Sequence, residues 1–239
     1  MAFRNRIRPL VARRAMRALR QNPDDTAQAI QVIGALSGGS SQRLFKRFQR
    51  SRAGQQILRE KRDLYAILSD VDRLRAMPEG SLGQTIGEWF AREKIGAEGL
   101  AKASEAAAAA LGARDRNEEE RVFGSRLLNL HDVFHVLAGY DRDMRGEMGV
   151  LAFTLPQTHN LGIAYLVWSA LRGAGWRSEM GRLIRQGFVR GLRAKWLLDQ
   201  DWETLFERPI DEVREQLGVG APPVYEQLRS AGAPPLAAA

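Results

Sequence analysis

The stretch His131-Asp132-Val133-Phe134-His135, answered by Glu147 after eleven intervening residues, decides how the rest of the chain is read. The chain has three histidines, and two of them stand here, four residues apart. On an α-helix, positions i and i+4 share a face one turn apart. Asp132 follows His131 and precedes His135 by three, so it borders that same face. Gly139 is a helix stop of the left-handed kind, Tyr140-Asp141-Arg142-Asp143 reads as a turn, and a second helix can start near Met144. That return carries Glu147 back over the imidazoles. His131, Asp132, His135 and Glu147 thus form a ligand set suited first to zinc, then to iron or manganese. A single histidine on a helix is ordinarily a hydrogen-bonded structural residue; the adjacent carboxylate, the i+4 partner and the returning glutamate together predict a metal site. Zinc proteases of the H-E-x-x-H type use the second position as general base, and the shorter Asp132 removes that reading. Gly146 and Gly149 flank the glutamate and suit close backbone approach.

Working outward, the sequence keeps a helical period. Glu118-Glu119-Glu120 opens the motif helix with negative charge where the macrodipole favours it, and Val122, Leu127, Leu128 and Leu130 are its expected packing face. Upstream, Ala101 to Ala113 reads as a helix or a connection. Ser81 with Gln84 signals a capped helix that buries Ile86, Trp89 and Phe90. Leu64, Ile67, Leu68, Val71 and Leu74 predict one amphipathic helix, ended by Pro78-Glu79-Gly80. Asn22-Pro23-Asp24-Asp25 caps a helix over 24–36, and Gly38-Gly39-Ser40-Ser41 is a flexible break. Downstream, the 24 residues Met148 to Leu171 carry no charge. Pro156, Gln157, His159 and Asn160 in their middle argue for two buried helical pieces rather than a membrane span. Such a run is either ordinary core or an apolar channel able to hold a long hydrophobic ligand, and His159 is a structural histidine. Ser178 caps a helix over 179–199 whose Gly187 and Gly191 permit close helix approach. Asp201 caps a short piece with Trp202, Leu205 and Phe206, and Pro209 starts a last helix that stops at Gly218. With no strand alternation and no repeats, the fold class is all-α: a single helical domain with a buried apolar channel beside a metal site. It divides into a basic amphipathic arm (1–20), a helical metal- and lipid-binding domain (21–218) and a flexible Pro/Gly/Ala-rich tail (219–239).

A chain of 239 residues holds one sizeable core. The absence of cysteine excludes disulfides, thiolate ligands and a cysteine nucleophile. The net charge of +8 is unevenly spread: residues 1–20 carry seven arginines and no acid, and residues 41–62 carry eight Lys or Arg against Glu60. Segregated basic charge points to an anionic surface. No nucleic-acid-binding signature accompanies it, so an anionic membrane is the expected partner and nucleic acid is not. The arm itself reads as a segment lying on such a surface or as a mitochondrial presequence.

The motif with its surroundings resembles the Coq-four family of ubiquinone (coenzyme Q) biosynthesis proteins. The likeness rests on His131-Asp132-x-x-His135 with Glu147, on Arg126 before it and Val-Leu-Ala-Gly-Tyr after it, and on Ala152-Phe153-Thr154 and Gln157. Gly191-Leu-Arg193-Ala-Lys195 and the stretch from Trp202 to Arg214 add to it, and it covers roughly residues 40–218. The resemblance implies an all-helical protein holding a divalent ion, usually zinc, at a membrane surface among other ubiquinone-biosynthesis proteins. It implies oxidative decarboxylation of a polyprenylated hydroxybenzoate-type lipid, the ring C1 carboxylate being replaced by hydroxyl. Zinc has no redox chemistry, so oxygen would react with an electron-rich ring, or the working ion would be iron or another redox-active metal. Arg193 and Lys195 are candidates to neutralise the substrate's negative charge, the alternative for each being a solvated helix face. The alternative is a non-catalytic lipid-binding scaffold that organises a ubiquinone-biosynthesis complex; a metal-dependent phosphohydrolase would need more His and Asp ligands than the chain offers. The expected location is peripheral, on the cytoplasmic face of a bacterial inner membrane or the matrix side of the mitochondrial one. An apolar lipid entry and the Gly187/Gly191 helix make self-association as a homodimer plausible and no more than that.

Overall fold

Among the described residues, ten helices begin where a short polar side chain takes up an orphan backbone N–H, the physical reason for most of the boundaries that follow. The computed structural model describes residues 6–111 and 117–229, and within them it is all-α. The helices are α1 (Pro9–Gln21), α2 (Thr26–Leu36), α3 (Ser40–Arg50), α4 (Arg52–Glu60), α5 (Leu64–Leu68), α6 (Val71–Arg75), α7 (Leu82–Glu93) and α8 (Ala97–Ala110). They continue with α9 (Glu118–Ala138), α10 (Met144–Thr158), α11 (Leu161–Ala174), α12 (Glu179–Arg193), α13 (Trp202–Leu205) and α14 (Ile210–Leu217). Among the described residues the only β-type pairing is one isolated antiparallel bridge, Ser81 to Pro209.

Two boundaries and one cap differ from the reading of the sequence. The expected helix from Leu64 to Leu74 is two helices, because Asp70 accepts from the Arg73 N–H and starts α6 while the Ser69 hydroxyl bonds back to the Tyr65 carbonyl. Its apolar residues still reach the core: Leu64, Leu68 and Leu74 are all buried. At Ser81 the capping device is shared differently from a standard box. Ser81 accepts from Gln84 N–H, but the Gln84 side chain accepts from Gly80 N–H. Finally, α12 ends at Arg193 rather than 199, where Ala194 turns extended and Lys195 N–H bonds to the Leu217 carbonyl.

The uncharged run folds as two pieces, α10 and α11, with Asn160 capping the second through Gly162 and Ile163 N–H. Among the described residues no helix is long and apolar enough to cross a membrane. Two apolar clusters result. The larger gathers α3–α7, α9 and the C-terminal helices around Phe48, Phe90, Phe134, Phe153 and Trp202. The smaller holds Ala15, Met16, Val32, Leu151, Ile163 and Ile184 from α1, α2, α10, α11 and α12. Helix α10 serves both, Val150 and Phe153 on one side and Leu151 and Ala152 on the other.

Glycine lets α12 lie against α10. A Cβ at Gly191 would come within 2.0 Å of the Phe153 carbonyl oxygen, and one at Gly187 within 2.4 Å of the Gly149 carbonyl oxygen. The close approach read from Gly187 and Gly191 is therefore made inside the chain, which removes those residues as the basis for a homodimer.

Two segments expected to lie outside the domain are part of it. Helix α1 buries Ala12, Ala15 and Met16 against α2 and leaves its arginines in solvent, so the basic arm is an integral amphipathic helix. Residues 219–229 are not a loose tail. They run without regular secondary structure over the turn before α10: the Tyr225 hydroxyl accepts from Asp141 N–H and donates to Asp143, Leu228 N–H donates to the Asp143 carboxylate, and the Leu228 carbonyl accepts from Met144 N–H. Residues 1–5, 112–116 and 230–239, on which the remaining parts of the arm, the alanine-rich stretch and the tail fall, lie outside the described residues.

Candidate metal centre

The motif helix is fixed at both ends before its histidines do anything. At its start Asn117 accepts from Glu120 N–H while Glu120 reaches back to Asn117 N–H, a full capping box. At its end Gly139 adopts φ 71°, and Tyr140 N–H bonds to the His135 carbonyl. Of the next three carbonyls, that of Val136 accepts from Gly139 N–H and the other two would be orphans. Arg214 donates to those of Val136 and Leu137, and Arg190 to that of Ala138 while also reaching Val219 and Gly220. Cations at a helix C-terminus also match the macrodipole. The helix buries Phe123, Leu130, Val133, Phe134 and Leu137, with Arg126 held by Glu203 and the Leu198 and Gln200 carbonyls. Of the expected face only Leu130 is fully buried; Leu127 and Leu128 turn toward a cavity.

The turn after Gly139 ends at Asp143, which caps α10 through Arg145 N–H, so α10 begins at Met144 as the sequence indicates. Glu147 consequently returns over the two histidines. His131 Nε2 and His135 Nε2 are 3.2 Å apart, and the Glu147 carboxylate oxygen lies 3.6 Å from the first and 3.5 Å from the second. A tetrahedral ion with bonds of roughly 2.1 Å separates its donors by about 3.4 Å. The triangle has the size that a small divalent ion requires, and three protein donors leave a fourth position for another ligand.

The surroundings orient the donors. His135 Nδ1 lies 2.8 Å from the Tyr140 carbonyl oxygen, which can only accept; Nδ1–H therefore donates and Nε2 presents its lone pair to the triangle. The indole of Trp89 stacks on the His135 ring at 5.4 Å. Burial opposes charge on Glu147, yet the charges and hydrogen bonds of His135 and His131 outweigh it and hold the carboxyl well below the usual range. For His135 burial likewise disfavours the cation, and Glu147 overcomes it, raising the pKa. Asp132 is buried and lines the same cavity, but its oxygens lie outside the donor group, which is His131, His135 and Glu147. Burial pushes its carboxyl up.

These residues form part of the wall of a cavity of about 2530 Å³, several times the size of an ordinary small-molecule pocket. Leu127 and Leu128 of α9, Met148 and Leu151 of α10, Leu166 of α11, Ile33 of α2 and Leu19 of α1 are among its apolar lining. Arg6, Arg8 and Arg20 border it near α1. Arg193 and Lys195, the candidate partners of a negative head group, are exposed at the end of α12 and are not among the lining residues. The cations that do line the cavity away from α1 are Lys46, Arg142 and Arg229, and the charge of Arg142 acts on Asp132. His159 caps α10 in a left-handed conformation and takes no part.

Comparison with known proteins gives the same direction. The family model described as Coenzyme Q (ubiquinone) biosynthesis protein Coq4 matches residues 8–223, a wider span than the motifs alone indicate and one that takes in α1 and α2. The mitochondrial ubiquinone biosynthesis protein COQ4 of Debaryomyces hansenii is 30% identical over 184 residues, which is 74% of this chain and 53% of that protein. Its counterpart in Scheffersomyces stipitis is 28% identical over 184 residues, with the same shares. The chain thus spans about half the length of these curated relatives. A crystal structure from Nostoc punctiforme, of a protein described as a candidate for ubiquinone biosynthesis, shares the fold. Its TM-score is 0.65 at 20% identity, covering 92% of this chain and 100% of that one. The match runs through both ligand helices and nearly the whole described fold, and this chain belongs to the Coq4 family of coenzyme Q (ubiquinone) biosynthesis proteins.

Proposed function

We propose that this protein carries out the oxidative decarboxylation of a polyprenylated hydroxybenzoate intermediate of ubiquinone biosynthesis, the ring C1 carboxylate leaving as carbon dioxide and a hydroxyl taking its place. One observation carries the reading: a donor triangle of metal-binding size lies in the wall of a large, mainly apolar cavity. The chemistry of that neighbourhood divides in two, as the substrate does. Leu127, Leu151 and Leu166 suit an isoprenoid chain, whose burial releases about 0.8 kcal/mol per methylene. His131, His135 and Glu147 would hold a divalent ion, with Asp132 as a second carboxylate beside them; zinc suits the donors, and iron or manganese is accommodated by them too. Bound there, the ion would supply Lewis acidity toward an anionic aromatic head group.

The chain's own residues prepare that step. The Tyr140 carbonyl fixes the His135 tautomer, Trp89 fixes its plane, and Glu147 stays a carboxylate because the imidazoles favour its charge. The exposed arginines of α1 suit an anionic lipid surface near the cavity. This arrangement suits a peripheral protein that draws a membrane-borne substrate into the cavity and works beside other ubiquinone-biosynthesis proteins. The scaffold alternative uses the same cavity without chemistry. The test is turnover of purified, metal-analysed protein given a prenylated 4-hydroxybenzoate without oxygen and then an oxygen pulse, with carbon dioxide and the ring product followed by mass spectrometry. Loss of the carboxylate with gain of a hydroxyl is expected. Tight binding with an unchanged ring, in fully metal-loaded protein, would establish the scaffold instead.

A further inference from the structure

Two arginines outside the ligand set reach the cavity from segments with no obvious business there. Arg142 stands in the turn between α9 and α10, and Arg229 in the C-terminal segment, beyond the 8–223 span that the family model matches. Their neighbours are two carboxylates and one further cation. Arg92 engages both Glu93 and Asp141, and Gln227 donates to Asp141 as well. Arg229 donates to Glu93 at 2.7 Å, a carboxylate only 1% exposed. Those pairings consume both carboxylates. Arg142 remains, with no hydrogen bond, ion pair or ring contact among the described residues; its charge acts on Asp132 of the motif.

Arg229 is itself incompletely used. Its Nε and Nη1 are buried and have no acceptor, a costly state for charged donors. Its position relative to the metal corner is set by α7: Glu93, which holds it, lies one helical turn beyond Trp89, which stacks on His135. The structure therefore gathers, on the lining of a cavity otherwise suited to a hydrophobic chain, one guanidinium without a hydrogen-bonded partner, whose charge reaches Asp132, and one with idle donors. A guanidinium is always charged and its planar fork matches a carboxylate.

From this juxtaposition we propose that Arg142 and Arg229 recognise the anionic head group of the substrate, so that the C-terminal segment Tyr225–Arg229 is a wall of the site that selects an acid over a neutral lipid. This rests on the aromatic-acid reading above. It takes over the role that the sequence assigned to Arg193 and Lys195. The site then has three functional parts: donors for a metal, an apolar volume for the chain, and two arginines for the charge.

The test uses full-length, metal-loaded protein and two probes of nearly equal shape, 3-geranyl-4-hydroxybenzoate and its carboxamide, titrated calorimetrically. The metal can itself favour the acid, so the decisive quantity is how the acid-to-amide ratio changes in variants. Arg142→Gln and Arg229→Gln are each expected to weaken acid binding by roughly 10-fold and the double variant by roughly 50-fold, with amide binding held within about twofold. Arg142→Gln removes no protein hydrogen bond or ion pair, which separates recognition from folding; metal content and a melting curve accompany each variant. Unchanged acid affinity in the double variant, or equal losses on both probes, overturns the proposal and leaves the aromatic-lipid reading standing. Wild-type protein that binds neither probe overturns that reading, and the arginine assignment with it.

Discussion

The two walls of the cavity are built differently. On the metal side, α9, the turn and α10 are packed with no slack. A Cβ at Gly146 would lie 1.9 Å from the Asp141 carbonyl oxygen, and the Gly187 and Gly191 approaches are almost as tight. Buried arginines tie off the end of α9, and Tyr225 ties down the turn. On the opposite side, Leu19, Ile33 and Leu36 of the α1–α2 hairpin are only partly buried and pack on the smaller apolar cluster. On the function proposed above, the difference would let one cavity serve two ends of a substrate. Donor atoms tolerate displacements of a few tenths of an ångström at most, whereas an isoprenoid needs only apolar surface of adaptable shape.

That contrast can be broken at several points. The largest effect belongs to the donors: His135→Ala or Glu147→Ala is expected to reduce bound metal from about one ion per chain to near zero by elemental analysis, while Leu19→Ala retains it. The same assay sharpens with pH. An ion must displace the proton on His135, whose pKa lies above the ordinary 6.5, so metal affinity should be complete at higher pH and begin to fall before that value is reached on acidification. Glu147, held low, stays ionised through that window and adds nothing to the slope. Next, Gly191→Val forces a side chain onto backbone that cannot yield and should lower unfolding free energy by about 3 kcal/mol in urea denaturation. Arg190→Met, which strips three carbonyls of a charged donor, should cost about 2 kcal/mol and loosen the end of the ligand helix. Smallest is Leu19→Ala on the adaptable wall, about 1 kcal/mol of stability, with weaker binding of long-chain lipids as its main readout. Comparable losses from Leu19→Ala and Gly191→Val would erase the distinction between the walls.

What the sequence disclosed follows the same division. Gly139, Asp143, Ser178 and Asp201 are local signals, and each marks its helix boundary because caps depend on residues within one turn. The triangle was legible for the same reason: a helical spacing and a turn bring Glu147 onto the histidines. Asp132 shares the spacing yet lies outside the donor group, since adjacent residues on a helix point roughly 100° apart. Long-range pairings left no trace. Arg214 and Arg190 bond to carbonyls 77, 78 and 52 residues away. Arg229 meets Glu93 across 136 residues. Nothing in the composition of 219–229, rich in Pro and Gly like a loose tail, indicates that Tyr225 and Leu228 would find Asp143. Arg193 and Lys195 looked suitable by charge alone, and the early end of α12 sends them to the far surface.

The lock that Tyr225 and Leu228 place on Asp143 spans 82 and 85 residues of chain. On a ribosome adding about 5–20 residues per second, the turn that presents Glu147 waits roughly 4–16 s for its fastening. Until then the histidines and the glutamate have all been synthesised but nothing from the C-terminal segment holds their corner. A nascent chain stalled before Tyr225 would carry His131, His135 and Glu147 without the brace on the turn that sets their register.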